Sequence, residues 1–130
     1  ARTDAIVVHH TASSPLVTWT QIAQQHRNDP EIGIGPGYHL GIDADGTLWE
    51  LGDRGSQRAC VKDMNHRVIC IAVKGNFTDV PPPPVQFESL RRAVALCRQW
   101  YGPVAVGGHR DYTSTACPGR ALYLLLPSLN

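Results

Sequence analysis

No apolar stretch in this 130-residue chain approaches the ~20 residues that a membrane-spanning helix needs. The aliphatic runs at 6–8 (Ile-Val-Val) and 124–126 (Leu-Leu-Leu) are short, of a size that closes a core, and a soluble protein is expected. Charge of one sign is equally lacking. Twelve Lys and Arg offset eleven Asp and Glu, and no basic run exceeds the pair Arg91-Arg92, which argues against nucleic acid as the partner. None of the four cysteines (Cys60, Cys70, Cys97, Cys117) stands in a Cys-x2-Cys pair, so a zinc finger is excluded, and their spacings match no compact disulfide framework. The first residues, Ala-Arg-Thr-Asp, lead straight into Ala5 and Ile6 without a charged region followed by a long apolar one, so no signal peptide is expected there. Repeats, linkers and low-complexity tracts are missing as well. With 42% hydrophobic and 18% charged residues the chain has the composition of an ordinary folded core, and residues 1–130 are read as one domain.

The pattern predicts an α/β protein. Residues 5–10 (Ala-Ile-Val-Val-His-His) are β-branched and barely alternate, as a buried strand requires. Trp19, Ile22 and His26 keep helical spacing over 18–26, and 28–37 is a Gly/Pro-rich loop. The runs at 38–43 and 47–51 flank Ala44-Asp45-Gly46, a hairpin signal. A polar loop over 52–66 precedes a second buried strand at 67–73. Beyond the proline run 81–84, Phe87, Leu90, Val94, Cys97 and Tyr101 form one apolar stripe on a helix from about 85 to 100, which Gly102-Pro103 ends. A short strand at 104–107, a loop at 109–119 and a last helical turn at 120–126 complete the order β-α-β-β-β-α-β-α. Hairpin and crossover connections together imply a single domain with a mixed central sheet and helices packed on it.

Three residues stand out as chemistry. His9 ends the first strand, His109 follows Gly107-Gly108 at the end of a late strand, and Cys117 lies eight residues on, in Thr-Ala-Cys-Pro-Gly. Strand ends of such a sheet gather side chains from distant sequence. Imidazole and thiolate both ligate Zn²⁺, and three scattered protein ligands suit a catalytic ion that keeps one position open. Each has a plainer reading: a hydrogen-bonded strand-end histidine, or a small buried thiol.

At these residues the chain resembles the zinc-dependent N-acetylmuramoyl-L-alanine amidases, the type-2 amidase family that includes peptidoglycan recognition proteins and amidase-type bacteriophage lysozymes. Four segments carry the resemblance, in the right order and across essentially the whole chain: Ile-Val-Val-His-His-Thr at 6–11, the tyrosine-bearing hairpin at 37–43 and 45–50, Ile-Ala-Val-Lys-Gly-Asn-Phe at 71–77, and Gly-His-Arg-Asp-Tyr-Thr-Ser-Thr-Ala-Cys-Pro-Gly at 108–119. The resemblance implies a mixed-sheet fold of that family and Zn²⁺ held by His9, His109 and Cys117. It also implies catalytic parts for Tyr38, as donor to the oxyanion or orienter of water, and for Thr115, where phage members carry lysine. A hairpin tyrosine packing on the core is the rival reading of Tyr38. A hydroxyl at 115 brings no positive charge, so its share is expected to be smaller than a lysine's. Thr11 and Arg54 are the expected substrate contacts, Arg54 toward a stem-peptide carboxylate. His10, which period-two alternation turns to the opposite strand face, is expected to be structural.

The chain departs from the family pattern in places. Asp53 and Arg54 stand where catalytic recognition proteins often have Gly-Trp; Cys60 replaces a frequent histidine and Cys70 a glycine, and spacing does not say whether those two bond. Cys97 belongs to the helix stripe. The implied reaction is hydrolysis of the amide between N-acetylmuramic acid and the L-alanine of the peptidoglycan stem, zinc acidifying water and polarising the carbonyl. Glu50 is the nearest acidic residue for a base but falls on a hairpin strand. The rival class is a peptidoglycan-binding module without catalysis; such forms typically lack the cysteine ligand, which is present here. Near-neutral charge neither supports nor opposes a further role in restraining a partner protein. A monomer is expected, acting on the cell wall either as a phage lysin released from the cytoplasm or as a secreted enzyme.

Overall fold

The protein was analysed as a computed structural model, which describes residues 3–30, 37–52, 60–61 and 64–130. Strands β1 (Ala5–His10), β2 (Leu40–Ile42), β3 (Leu48–Glu50), β4 (Val68–Val73) and β5 (Ala105–Gly108) form one sheet in the order β3-β2-β4-β1-β5. β4-β1, β1-β5 and β2-β4 pair in parallel, and only the hairpin β2-β3 is antiparallel. This is the expected mixed sheet. Every residue of β1 and β4 is buried, which explains why both read as unbroken apolar runs: each is covered on two faces.

Helix α1 (Trp19–Asn28) starts one residue after the expected 18 because Thr18 is its N-cap, its hydroxyl accepting from Gln21 N–H in a capping box. Its Trp19 ring lies over Gly41 of β2, where a Cβ would stand 2.6 Å from the ring, so only glycine admits the helix. The long helix α2 (Pro84–Tyr101) takes Pro84 into its first turn, where a missing N–H costs nothing, and so begins inside the proline run. It lays Leu90, Ala93, Val94 and Cys97 against Ile6 and Val8 of β1 and Ile69, Ile71 and Val73 of β4. The short helix α3 (Arg120–Tyr123) and a 3-10 turn (Leu126–Leu129) close that core with Leu122, Leu126 and Leu129. The opposite face holds a smaller cluster of Ala5, Val7, Val68 and Cys70 with Cys60 and Val61. Cys60 and Cys70 form a disulfide, answering the question their spacing left open. No described helix is long and apolar enough to cross a membrane.

A polar hub pins the hairpin to the sheet. Asp43 accepts hydrogen bonds from the indole N–H of Trp19 (2.7 Å) and of Trp49 (2.7 Å), and pairs with Lys74 Nζ at 2.8 Å. The Lys74 ammonium is buried and also lies 4.6 Å from the centroid of the Trp19 ring. These bonds outweigh the cost of partial burial and hold the Asp43 carboxyl below its usual value. Its ionised form therefore stabilises the fold fully above the ordinary carboxylate pKa of about 3.9, and that contribution fades as pH falls through the lower folded value. Asp43→Ala should cost about 3 kcal/mol in urea unfolding at neutral pH, because it strands a buried ammonium. Trp49→Phe, which removes one donor at an exposed edge, should cost about 1 kcal/mol. The Asp43→Ala deficit should shrink at about pH 2, where wild-type Asp43 is itself protonated.

Candidate functional site

The site follows from one register. β1 and β5 run in parallel with Val8 opposite Gly108, so the next residue of each chain, His9 and His109, emerges at the same carboxyl edge of the sheet. Their ring centroids are 4.5 Å apart. His109 opens a 3-10 turn (His109–Asp111), and Asp111 holds that turn: its carboxylate accepts Gly108 N–H at 2.9 Å and Tyr123 O–H at 2.5 Å. The chain then doubles back, Arg110 N–H donating to Cys117 O at 2.9 Å. Gly108 admits the return, since a Cβ there would sit 2.9 Å from both Pro118 and the Tyr123 ring. Gly119 does the same at the far end: it has φ +88° and lies where a Cβ would stand 2.5 Å from the Phe77 backbone.

His9, His109 and Cys117 thus meet, with one ligand atom from each lying within 4.8 Å of the others. The Cys117 Sγ is 3.7 Å from His9 Nδ1. A nitrogen and a sulfur on one tetrahedral zinc would be about 3.5 Å apart, given bonds near 2.0–2.1 and 2.3 Å. The other ring nitrogen of His9, Nε2, is buried with no hydrogen-bond partner among the described residues, so no described contact fixes which of the two nitrogens carries the proton. The donor set fits a borderline-soft divalent ion such as zinc.

Electrostatics act unequally on the three candidate ligands. Burial, reinforced by His109 and the other nearby histidines, pushes the His9 imidazole well below its usual pKa, and burial lowers His109 too. Both rings are therefore neutral at physiological pH, the form that ligates. Burial raises the Cys117 thiol to about 11, although His10 N–H, 3.4 Å from the sulfur, stabilises the thiolate and offsets part of that. Without a cation the thiol keeps its proton.

His10 takes the other face as alternation predicts: its Nδ1 accepts Phe77 N–H at 3.1 Å and its ring packs near Phe77. Tyr38 is drawn into the site, its ring 5.2 Å from that of His9 and 5.1 Å from that of His26. Burial, and then the neighbouring Cys117, push its phenol well above the ordinary range, so it remains a hydrogen-bond donor at any working pH. Thr115 is exposed on the returning loop and accepts Cys117 N–H at 3.3 Å. Thr11 Oγ1 accepts Gly75 N–H at 2.9 Å and pairs with Ser13, tying the end of β1 to the turn after β4. Arg54 lies outside the described residues. Glu50 is exposed on the edge strand β3.

Three contributors were not picked out as site residues from sequence. The backbone amide of His10 leaves no trace in residue type. Asp111 could have been flagged, because an acidic side chain three residues after Gly108 is placed to accept the first free N–H of a turn. His26 was read only as a helix position, yet its Nδ1 accepts Gly37 N–H at 2.7 Å and its ring abuts Tyr38.

The chain matches the family described as N-acetylmuramoyl-L-alanine amidase over residues 1–120. The endolysin of Enterobacteria phage T3 is 30% identical over 125 residues, covering 91% of this chain and 82% of the relative. That of Escherichia phage T7 is 29% identical over 123 residues, covering 89% and 80%. Among solved structures, the N-acetylmuramoyl-L-alanine amidase LysC from Clostridium intestinale URNW superposes with a TM-score of 0.89 at 27% identity, covering 98% of this chain and 83% of that one.

With the thiol protonated and both imidazoles neutral at pH 8, each divalent ion captured should expel about one proton. Calorimetric titration with zinc in buffers of different ionisation enthalpy measures it. Cys117→Ser should bind more weakly and release close to none; release unchanged by that substitution would remove Cys117 from the ligand set.

Proposed function

The chain belongs to the N-acetylmuramoyl-L-alanine amidase family, and from that premise we propose that His9, His109 and Cys117 hold a catalytic zinc ion at the carboxyl edge of the sheet. The activity is hydrolysis of the amide that joins N-acetylmuramic acid to the L-alanine of the peptidoglycan stem. The observation that carries the zinc assignment is the convergence of three ligand atoms within 4.8 Å from strand ends a hundred residues apart. Zinc bound there would supply Lewis acidity toward the scissile carbonyl and toward water.

The protein's own groups do the rest. Neutral imidazoles and a thiol kept protonated until a cation arrives make a set that responds to a metal and not to bulk acid near neutrality. The Tyr38 phenol, unable to ionise at working pH, donates a hydrogen bond to the carbonyl oxygen as negative charge gathers on it. Thr115, whose oxygen already accepts Cys117 N–H, keeps its own O–H to donate at the rim of the site. Thr11, bonded to Gly75 N–H and Ser13 just past β1, and Arg54, whose charge suits a stem-peptide carboxylate, are the substrate contacts in this reading. Residues 1–130 act as one catalytic domain and as a monomer, and the phage relatives favour a lysin.

Purified peptidoglycan digested with the zinc-loaded protein should release free stem peptides beginning with L-alanine, detected by mass spectrometry, and none when a chelator is added. Peptides that stay on the glycan while the protein pellets with the sacculi would make this chain a binding module instead. Cys117→Ser should bind zinc weakly and lose turnover; full activity in that variant would overturn the ligand assignment. Tyr38→Phe should keep its zinc and fold and lose about 10²–10³ in kcat, the usual consequence of removing one preorganised donor.

A further inference from the structure

His9 belongs to two potential ligand sets. Beside the one with His109 and Cys117, one of its ring nitrogens lies within 4.8 Å of the sulfurs of both Cys60 and Cys70. The sheet brings this about. Val7 faces Cys70 and His9 faces Ala72 across the β1-β4 ladder, so the His9 side chain rises on the same face as Cys70, one pleat along. Cys60 joins Val7, Val61 and Cys70 in the cluster beneath it. All three side chains are buried, at 2% exposure for His9, 7% for Cys60 and 0% for Cys70.

We propose that Cys60 and Cys70, when reduced, form with His9 a second, thiolate-rich metal site that takes a soft divalent ion and competes with the first site for His9. The shared disulfide accepts two electrons and two protons from a dithiol reductant, which becomes a disulfide itself, and two thiols result. A metal ion then displaces both thiol protons. Two thiolates on one tetrahedral ion stand about 3.8 Å apart, given sulfur bonds near 2.3 Å, so the sulfurs must separate once the bond is broken. Cys70 is fixed in the middle of β4, and Cys60 is anchored through its backbone by Asn65, whose side-chain oxygen accepts both Cys60 N–H (2.8 Å) and Val61 N–H (2.7 Å). Rotation of the Cys60 side chain about its Cα–Cβ bond supplies that separation while its backbone stays anchored. A neutral imidazole offers one lone pair, so His9 serves one set at a time, and a chain reduced in the presence of metal gives up the ligand set of the amidase site. Oxidised, the two sulfurs cannot ligate, and His9 is left to His109 and Cys117.

Cadmium titration reads thiolate ligands through their ultraviolet charge-transfer absorption, independently of activity. The background is Cys117→Ser, which removes the only sulfur of the first set. Oxidised Cys117→Ser should show no such absorption. After treatment with a phosphine, which becomes its oxide as water supplies the oxygen and the thiol protons, it should gain about twice the absorption that Cys117 gives in the oxidised wild type. Adding Cys60→Ser and Cys70→Ser should abolish the gain; Cys97 is present throughout and serves as the internal control. Should that triple variant fail to fold, alkylation of the two reduced thiols in Cys117→Ser serves in its place. In the wild type, reduction with cadmium present should also free Cys117 to react with an alkylating reagent. Reduced Cys117→Ser that absorbs no more than the triple or alkylated control would overturn the second site. Oxidised wild type without the single-thiolate signal would instead overturn the first, leaving the second untouched.

Discussion

The parallel pairing of β1 with β5, in the register that sets Val8 opposite Gly108, is the constraint on which the site depends. Side chains alternate along a strand, so a slip of one residue would turn His9 into the helix-covered core and present His10 to the site. What opposes the slip is apolar burial: Ile6 and Val8 fill the α2 face together with Ile69, Ile71 and Val73, and a slip of one residue would turn Ile6 and Val8 away from it. The geometry of a polar site is thus enforced by hydrophobic packing on the opposite side of the same strand. Gly108 and Asp111 convert that register into a cluster of candidate ligands, the glycine by admitting Pro118 and Tyr123, the carboxylate by holding the turn that carries His109.

The two faces of the sheet divide the labour. Beneath α2 lies nearly all of the aliphatic core, and the polar side chains buried there are bonded: Gln86 spends its amide N–H on the carbonyls of Ile42 and Lys74, and His10 Nδ1 accepts Phe77 N–H. Among the described residues, the other face carries α1 and the smaller cluster around Cys60 and Cys70. It can therefore carry four rings and a thiol in contact, His9, His26, His109, Tyr38 and Cys117, without compromising the main core. Histidines packed so closely could not all be protonated, and burial ensures that they are not. That neutrality is a precondition for metal binding.

Much of this was legible in the residues. β1 agreed residue for residue, because a run buried on both faces has no alternation to blur its ends. The strands of the hairpin came out shorter than the runs at 38–43 and 47–51, since Asp43 and Thr47 close the turn and take no part in the ladder. Helix α2 begins at Pro84, one residue earlier than the apolar stripe alone suggested, because the stripe reports packing and the first turn is set by proline geometry. The three candidate ligands, which the structure brings within reach of one another, stood out through residue type and position, His9 and His109 at strand ends and Cys117 on the loop that follows, with the resemblance adding to that reading. The Asp43 hub was not legible, since nothing in the sequence signals that Trp19, Trp49 and Lys74, three separated residues, share the one carboxylate of Asp43. The Cys60–Cys70 pairing was equally hidden, because it depends on which face of β4 the second cysteine occupies.

That last point bears on how a small sheet protein arranges its cysteines. Cys97 lies on α2 in the apolar core, where burial raises its thiol pKa to about 12 and leaves it inert. Cys60, Cys70 and Cys117 all lie on the other side, around His9. Three sulfurs and one imidazole so close together would be an indiscriminate metal trap if all were free. Locking two of them in a disulfide leaves a single thiol beside the imidazoles, and a mixed nitrogen–sulfur set retains an open position for substrate where a thiolate-rich one tends to close. The disulfide therefore does two things in this fold: it cross-links the face that carries the site, and it withholds competing ligands from the residue on which the site depends.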